Sequence, residues 1–248
     1  MGLKINKDKQ NIAAMFNSIA GSYDLLNHLL SFGIDKSWRA FLIKRIKLLK
    51  PATALDIACG TGDITIAMMK HGIDVTGLDI ADKMLEKAVA KSKKAYSGLT
   101  GKVKGASSSM PKYICAPADN IPLPDNSFDV VTIGFGIRNF DNRGESLLEI
   151  KRVLKPGGTL FILEFATPKN RVWRGVFNTY FLKVLPYIGK VISGDNSAYS
   201  YLPSSVGTFP QYGEFIEEME HFGFKDATYR QLTGGVAVMY AAQKSHNT

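Results

Sequence analysis

Short segments rich in β-branched residues alternate with longer amphipathic segments through the middle of this 248-residue chain. Strands that alternate with helices form βαβ units, in which the strands run parallel and the helices cover both faces of the sheet. The sequence therefore predicts an α/β fold around a mostly parallel sheet. The predicted strands are residues 54–58, 74–78, 113–116, 130–134 and 159–164.

Both ends of the chain depart from this alternation. Apolar residues recur at helical spacing from residue 12 to residue 49, with breaks at glycines. Residues 226–232 and 236–243 have strand character and meet at a Gly-Gly pair, which predicts an antiparallel hairpin at an edge of the sheet. Residues 97–112 are rich in Gly, Ser and Lys and predict an exposed loop. No repeat or linker divides the chain, so we expect one domain.

The charge balance of the chain is basic. It carries 31 Lys and Arg residues against 22 Asp and Glu residues, a net charge of +9. This charge favours an anionic partner and leaves nucleic acid, an acidic membrane surface and a phosphate-bearing ligand open. No apolar run reaches the roughly 18 residues of a membrane-spanning helix, and the start lacks the apolar core of a secretory signal, so we expect a cytoplasmic protein. Cys59 and Cys115 lack the spacing of a zinc site, and we expect no bound metal.

A glycine-containing turn follows the first predicted strand. Gly60 and Gly62 allow the backbone to pass close to a ligand, and the helix that begins near Asp63 directs free N–H groups toward it. A dinucleotide-binding GxGxxG motif would need glycine where this chain has Thr65. Asp56 and Asp63 lie on either side of the turn and disfavour a pyrophosphate, so the turn favours a cationic ligand.

S-adenosyl-L-methionine matches that preference, because it carries a sulfonium and an ammonium group and no phosphate. Asp79 ends the second predicted strand, where a carboxylate can accept hydrogen bonds from both ribose hydroxyls. The alternative is that Asp56, Asp63 and Asp79 only cap helices. A strand-Gly-x-Gly-helix unit followed by an acid at the next strand end is a demanding combination, and it favours S-adenosyl-L-methionine and methyl transfer.

Residues 134–139, after the fourth predicted strand, bear on the substrate. Enzymes that methylate exocyclic base nitrogens carry an Asn or Asp, Pro, Pro, aromatic run there, whereas this chain has Gly-Phe-Gly-Ile-Arg-Asn. Enzymes that methylate C5 of cytosine need a Pro-Cys nucleophile, and neither cysteine follows a proline. We therefore expect no nucleic-acid partner. An RNA methyltransferase, supported by the charge alone, and a cofactor-binding module without catalysis remain the alternatives.

Several longer motifs extend over residues 12 to 244. They are Tyr23-Asp24 to Asn27 with Ser31, Gly33 and residues 35–39; residues 56–63; residues 134–139; residues 152–158; residues 201–206 with Phe209-Pro210; and residues 232–237. On these motifs the chain resembles the ubiquinone/menaquinone biosynthesis C-methyltransferase family. Some members have serine at the position of Gly134, and with glycine there the chain resembles the demethylmenaquinone methyltransferases within that family.

The resemblance implies a class I S-adenosyl-L-methionine-dependent methyltransferase fold. This is a Rossmann-like domain with a mostly parallel seven-stranded sheet, helices on both faces and an antiparallel C-terminal strand. The whole chain, residues 1–248, would form one domain. Its parts would be a helical cap on the substrate side (1–50), a cofactor-binding core (51–164), an insertion toward substrate and membrane (165–222) and closing strands (223–248).

The resemblance also implies a reaction and its cofactor contacts. The methyl group of S-adenosyl-L-methionine would pass to a ring carbon of a prenylated quinol, converting demethylmenaquinol to menaquinol. The alternative substrate is 2-polyprenyl-6-methoxy-1,4-benzoquinol of the ubiquinone pathway, alone or in addition. Pro117 replaces the acid or amide that binds the adenine amino group in the family, and Asp119 is the candidate substitute. The expected cofactor-binding residues are Asp56, Gly60, Thr61, Gly62, Asp79, Pro117, Ala118 and Asp119.

The expected catalytic residues are Arg138, Tyr23 and Asp24. A quinol that has lost a hydroxyl proton has an electron-rich ring carbon, and Arg138 would stabilise that phenolate. Tyr23 and Asp24, ahead of His28, would orient the ring or accept a proton. Residues 165–192 mix aromatic residues with Lys and Arg, so we expect peripheral docking on the membrane that holds the quinol; a helix that only covers the sheet is the alternative. Oligomerisation stays open.

Overall fold

The computed structural model describes residues 8–24, 31–98, 109–180 and 197–246, which form a seven-stranded sheet covered by helices. The strands are β1 (Thr53–Ile57), β2 (Asp74–Asp79), β3 (Lys112–Cys115), β4 (Phe128–Gly134), β5 (Leu154–Phe165), β6 (Phe224–Leu232) and β7 (Ala237–Lys244). The helices are α1 (Lys9–Ile19), α2 (Ile34–Leu49), α3 (Asp63–Met69), α4 (Asp82–Ser97), α5 (Arg143–Val153), α6 (Arg171–Thr179), α7 (Ser197–Thr208) and α8 (Gly213–His221).

The sheet has the order β3-β2-β1-β4-β5-β7-β6. The neighbouring strands are parallel except in the two pairs that involve β7. The predicted α/β fold with an antiparallel C-terminal strand is therefore confirmed. The strand order reverses between β1 and β4, so the loops that leave these two strands diverge and open a crevice at the carboxyl edge of the sheet. The glycine turn and residues 134–139 both lie at that crevice.

The central strands are hydrophobic because helices cover both of their faces. Leu55 and Ile57 of β1 pack in one apolar cluster with α5 and α8, whereas Ala54 packs on the opposite face with α2 and α3. Asp129 fastens the amino-terminal edge of the sheet. One of its oxygens accepts hydrogen bonds from the backbone N–H groups of Ala52 and Thr53 at 2.9 and 2.8 Å.

A third apolar cluster closes the carboxyl edge. It joins Ile19 of α1, Met84 of α4, Phe177 of α6 and Val206 of α7. Asp8 caps the start of α1 by accepting a hydrogen bond from the backbone N–H of Gln10 at 2.9 Å. Helices from both ends of the chain thus meet above the crevice, and they enclose the space in which a ligand can bind.

Some details differ from the sequence-based expectation. β5 begins at Leu154, before the predicted start at residue 159, and includes the Pro-Gly-Gly segment; Gly157 takes a φ of 75° there. The predicted hairpin is confirmed, since β6 and β7 pair antiparallel across Gly234 and Gly235. His28 and residues 181–192 of the predicted membrane segment lie outside the described residues. In the part of the chain that is described, no helix combines the length and hydrophobicity needed to span a membrane.

Candidate active site

The turn between β1 and α3 is shaped by its glycines. Gly60 and Gly62 have φ values of 54° and 83°, a backbone conformation that favours glycine. A Cβ atom at Gly62 would lie 2.8 Å from the hydroxyl of Tyr113 and 3.1 Å from the Cβ of Ala88. The turn can therefore follow this path only with glycine at position 62, as the sequence predicted for a close backbone approach.

Asp79 lies next to this turn at the end of β2. One carboxylate oxygen accepts a hydrogen bond from the backbone N–H of Gly60 at 2.8 Å, and the other accepts one from Ala81 at 2.9 Å. Burial raises the pKa of Asp79, because desolvation outweighs these hydrogen bonds. The side chain lines a cavity at the carboxyl edge, so Asp79 is a fixed acceptor for a ligand there.

Asp56 lies beneath the turn and is buried. Its two carboxylate oxygens accept hydrogen bonds from the hydroxyls of Thr65 at 2.6 Å and Thr132 at 2.7 Å. Desolvation raises the pKa of Asp56 to about 6. These bonds tie the turn to α3 and β4. Asp56 therefore holds the turn in place, and direct contact with a cofactor stays a prediction for this residue.

The carboxylate of Asp63 is already paired with two cationic side chains. Lys91 donates a hydrogen bond to one of its oxygens at 2.6 Å, and Arg39 lies 3.2 Å from the other. Lys91 also donates to Asp24 at 2.8 Å, and the hydroxyl of Thr61 donates to Asp24 at 2.5 Å. The negative charge predicted to attract a cation is thus compensated here. Among Asp56, Asp63 and Asp79, it is Asp79 that lines the cavity at the carboxyl edge.

The same network explains the N-terminal motif. Arg39, which reaches Asp63, also pairs with Asp35, and Asp35 accepts a hydrogen bond from the hydroxyl of Ser31 at 2.7 Å. Gly33 precedes α2 with a φ of 73°. The motif around residues 31–39 therefore fastens the N-terminal segment to the glycine turn.

The cavity beside Asp79 lies among the loops that leave β1, β2, β3 and β4. Two buried oxygens in its wall, Asp119 Oδ1 and Asn139 Oδ1, have no hydrogen-bond partner within the described residues. Asp119 uses its other oxygen to pair with Lys9 of α1 at 2.6 Å. We call this space the cofactor cavity. Its lining includes Gly60, Asp79, Ala116, Pro117, Ala118, Asp119, Gly134, Phe135 and Asn139.

A second cavity lies beyond a wall of aromatic rings. Phe16, Tyr23 and Phe135 line both spaces, so they separate the cofactor cavity from this one. It encloses about 300 Å³, within the range of small-molecule sites. We call it the aromatic cavity. Its lining also includes Ile19, Trp38, Phe165, Phe177, Tyr180, Tyr201 and Leu202, with Arg138 as a charged member.

Arg138 is buried in the wall of the aromatic cavity. Its guanidinium pairs with Glu164 at 2.6 Å, bonds the backbone oxygen of Phe135 and lies 3.3 Å from the hydroxyl of Ser205. Glu164 is fully buried, and desolvation raises its pKa although the charge of Arg138 opposes the shift. Glu164 therefore holds the guanidinium of Arg138 in position at the wall of a largely aromatic cavity.

The predicted residues occupy different positions around these cavities. Arg138 lines the aromatic cavity and Tyr23 borders both, while Asp24 contacts Thr61 and Lys91 and lines neither of the two. Sequence reasoning missed Glu164 as the partner of Arg138. A charged residue near the end of an apolar parallel strand was the signal that could have identified it, because such a charge needs a buried partner.

The whole chain matches a known family. Residues 4–244 match the model of the ubiE/COQ5 methyltransferase family. The chain is 42% identical over 244 residues to the Ubiquinone/menaquinone biosynthesis C-methyltransferase UbiE of Geotalea daltonii, covering 97% of this chain and 99% of that protein. It is 38% identical over 238 residues to the Demethylmenaquinone methyltransferase of Porphyromonas gingivalis, covering 95% of this chain and 93% of that protein.

Solved structures agree on the fold. A SAM-dependent methyltransferase of Thermotoga maritima, described as a possible histamine N-methyltransferase, is similar with a TM-score of 0.62 at 19% identity. The similarity covers 94% of this chain and 99% of that one. At this level of identity the likeness establishes the fold, which is that of S-adenosyl-L-methionine-dependent methyltransferases.

Proposed function

We propose, because the chain belongs to the ubiE/COQ5 methyltransferase family, that it methylates a ring carbon of a prenylated quinol and converts demethylmenaquinol to menaquinol. The family resemblance drawn from the motifs is confirmed, and the chain is a methyltransferase. The observation that carries the proposal is the pair of cavities that meet at Phe16, Tyr23 and Phe135. One offers hydrogen-bond acceptors, and the other offers aromatic surface with a buried arginine.

The cofactor cavity fits S-adenosyl-L-methionine. Asp79 is positioned to accept hydrogen bonds from the ribose hydroxyls, and the glycine turn allows close approach of the ligand. The unpartnered oxygens of Asp119 and Asn139 are matched acceptors for an amino group such as that of adenine. Asp119 thereby supplies the acid that Pro117 lacks. When bound, S-adenosyl-L-methionine supplies an electrophilic methyl group whose bond to sulfur breaks as the bond to the ring carbon forms.

The aromatic cavity fits the quinol ring. We propose that Trp38, Phe135 and Phe165 hold the ring, and that Arg138 stabilises the phenolate oxygen formed when a hydroxyl proton leaves. After methylation the ring carbon loses its hydrogen as a proton, and the two electrons of the broken C–H bond restore the aromatic ring. Because the electron pair must come from the ring, the reduced quinol and not the quinone is the substrate.

Tyr23 and Asp24 receive separate roles in this proposal. Tyr23 borders both cavities and orients the quinol ring toward the methyl donor. Asp24 holds the glycine turn against the N-terminal segment through its bonds with Thr61 and Lys91. A general base for the ring proton is therefore to be sought among the groups that line the aromatic cavity, and Asp24 acts through the turn.

Mass spectrometry of the reaction products tests the proposal. Purified protein is incubated with S-adenosyl-L-methionine and demethylmenaquinone, with and without a reductant. We expect one added methyl group on the naphthoquinol and none without the reductant. Methylation of the oxidised quinone at the same rate would contradict the phenolate mechanism, and no methylation of either form would contradict the proposed function.

The ubiquinone-pathway benzoquinol is the second candidate substrate. The relative from Geotalea daltonii carries both pathways in its name, whereas the relative from Porphyromonas gingivalis is named for demethylmenaquinone alone. A parallel reaction with 2-polyprenyl-6-methoxy-1,4-benzoquinol separates these cases. Methylation of both rings would make the enzyme dual, and methylation of the benzoquinol alone would replace the menaquinone assignment.

We propose that the prenyl tail leaves the aromatic cavity at an exposed apolar rim that faces the membrane. Phe32, Trp173 and Val176 line the cavity and are exposed, with Val172 beside them 79% exposed. Lys36, Lys169, Arg171 and Arg174 are exposed and lie within a few residues of these side chains in the sequence. Apolar side chains flanked by cations are typical of surfaces that bind anionic bilayers. Phe177, in contrast, is buried in the third apolar cluster.

Co-sedimentation with liposomes that contain anionic lipid tests this rim. Val172→Ser combined with Val176→Ser removes exposed apolar surface and should weaken binding severalfold. Leu148→Ser, an exposed apolar residue of α5, is the matched control and should bind as wild type. Equal loss in both variants would argue against a specific docking surface.

A further inference from the structure

Tyr201 of α7 has a buried hydroxyl without a hydrogen-bond partner among the residues that the structure describes. Its side chain is 6% exposed and lines the aromatic cavity. A buried hydroxyl that makes no hydrogen bond destabilises the folded protein, because the group has lost its bonds to water. Because the packing of the free protein offers no partner among the described residues, a bound ligand is the natural place to look for one.

The surroundings of Tyr201 indicate what the missing partner is. Tyr201 and Ser205 lie one turn apart on α7, and the hydroxyl of Ser205 lies 3.3 Å from Nε of Arg138. The charges of Arg138 and Glu164 both act on Tyr201, so its side chain lies near that ion pair. A polar ligand atom that enters the aromatic cavity beside Arg138 therefore comes close to the tyrosine hydroxyl.

We propose that the hydroxyl of Tyr201 donates a hydrogen bond to the phenolic oxygen of the quinol and, together with Arg138, holds that oxygen at one end of the aromatic cavity. This inference rests on the proposed function. It adds a substrate-binding residue that neither the motifs nor the family resemblance had assigned. The substrate oxygen completes the bonding of Tyr201, so the energetic cost in the free protein is recovered when the quinol binds.

The protonation state of Tyr201 supports the role of donor. Burial raises the pKa of Tyr201 above its usual value, although the charge of Arg138 opposes the shift. The hydroxyl therefore keeps its proton at neutral pH, and it stabilises the phenolate without accepting a proton. Tyr201 lowers the pKa of the bound quinol hydroxyl, since a donor that faces an oxygen favours its negative form.

Tyr201→Phe removes the hydroxyl and keeps the ring. With a short-chain demethylmenaquinol, kcat/KM should fall about 10- to 100-fold, the effect of losing a hydrogen bond to a charged oxygen. The KM for S-adenosyl-L-methionine should stay at the wild-type value. The rising limb of the kcat pH profile should move to higher pH by about one unit, because the bound quinol loses its proton less readily.

Stability separates this role from a structural one. Tyr201→Phe removes an unsatisfied group, so Tm should be unchanged or higher by about 2–4 °C. Tyr212→Phe is the matched control, because the Tyr212 hydroxyl is also buried but donates to the backbone oxygen of Thr167 at 2.8 Å. That variant should have a lower Tm and a wild-type pH profile.

Binding to the aromatic cavity can be followed directly. The chain has two tryptophans, Trp38 and Trp173, and both line this cavity, so a naphthoquinol that binds there should quench their fluorescence. If the wild type binds and methylates the quinol while Tyr201→Phe keeps the wild-type kcat/KM and pH profile, the inference is overturned and the proposed function stands. If the wild type shows neither quenching nor methylation, both are overturned.

Discussion

The two cavities on either side of Phe16, Tyr23 and Phe135 offer opposite chemistry. The cofactor cavity presents acceptors, among them the oxygens of Asp79, Asp119 and Asn139. At the end beside Arg138 the aromatic cavity presents donors, the guanidinium of Arg138 and the hydroxyl of Tyr201, while its acidic residue Asp35 is paired with Arg39. Acceptors suit a ligand with ribose hydroxyls and an amino group, and donors suit a phenolate oxygen.

The two cavities also differ in how the chain builds them. The cofactor cavity is largely formed by loops that follow consecutive strands of a parallel sheet, and its polar residues follow from the topology. The aromatic cavity combines α1, α2, α6 and α7 with the turn before β7, which are far apart in sequence. A substitution in the cofactor cavity should therefore have little effect on ligand binding in the aromatic cavity, and the reverse should also hold.

Loss of Arg138 should have the largest effect. Arg138→Met removes the charge that we propose for the phenolate, and kcat should fall about 10²- to 10³-fold. The Kd for S-adenosyl-L-methionine should stay near the wild-type value, because Arg138 lines the aromatic cavity. Steady-state kinetics and calorimetric titration measure the two effects separately.

Arg143→Met is the matched control for this variant. Arg143 also pairs with a glutamate, Glu218, at 2.5 Å, but it does not line either cavity. Its kcat should remain within about twofold of wild type. An equal loss of activity in both variants would mean that the effect of Arg138 is one of general stability.

Two buried carboxylates give the comparison a second test. Asp56, on the cofactor side, is bonded by neutral hydroxyls, whereas Glu164 is paired with the charged Arg138. Glu164→Gln leaves the arginine without its counter-charge and should lower the free energy of unfolding by about 3–5 kcal/mol. Asp56→Asn leaves no charge behind and should cost far less at neutral pH.

The pH dependence of Asp56 has a definite sign. Its pKa rises from 3.8 when unfolded to about 6 when folded, so the folded state binds the extra proton and loses stability as pH rises between those values. The loss amounts to about 3 kcal/mol by pH 7. Urea unfolding between pH 4 and pH 7 should show a flatter profile for Asp56→Asn, and an unchanged profile would show that another group causes the decline.

Asp79→Asn should act on the cofactor side alone. An amide can accept one of the backbone bonds but loses the charge, so the Kd for S-adenosyl-L-methionine should rise about 10- to 100-fold. Quenching of tryptophan fluorescence by the quinol should not change. Asp74→Asn, at the opposite and exposed end of β2, is the control and should bind the cofactor as wild type.

The sequence could predict the parts of this site that follow from local pattern. The turn with Gly60 and Gly62 and the acid Asp79 depend on strand ends and backbone geometry, and both are recognisable without tertiary structure. The ion pairs of Asp63 could not be predicted, because its partners Lys91 and Arg39 come from other helices. Tyr201 lies in the motif at residues 201–206, but its role could not be predicted, since its significance is a missing partner inside a cavity formed by distant segments.

Substitution of Asp119 should have the smallest effect on binding, and it is the sharpest test of how the cofactor cavity recognises adenine. Pro117 has no side-chain acceptor for the adenine amino group, and Asp119 Oδ1 is buried in the same wall without a partner in the described chain. Asp119→Asn can present an N–H to that amino group instead of an oxygen, so adenosine binding should weaken about tenfold. Inosine carries a carbonyl oxygen in place of that amino group, so it should bind the Asp119→Asn variant at least as tightly as it binds the wild type.

Lys9 provides the control for Asp119, because it pairs with the other carboxylate oxygen at 2.6 Å and its side chain is half exposed. Lys9→Met should weaken adenosine binding much less than Asp119→Asn, since the half-exposed lysine holds only the oxygen that does not face the cavity. If the two variants were equal, Asp119 would act through α1 and not through the adenine. The acceptors of the cofactor cavity would then end at Asp79 and Asn139, and the loop after β3 would contact the base only through its backbone at Pro117 and Ala118.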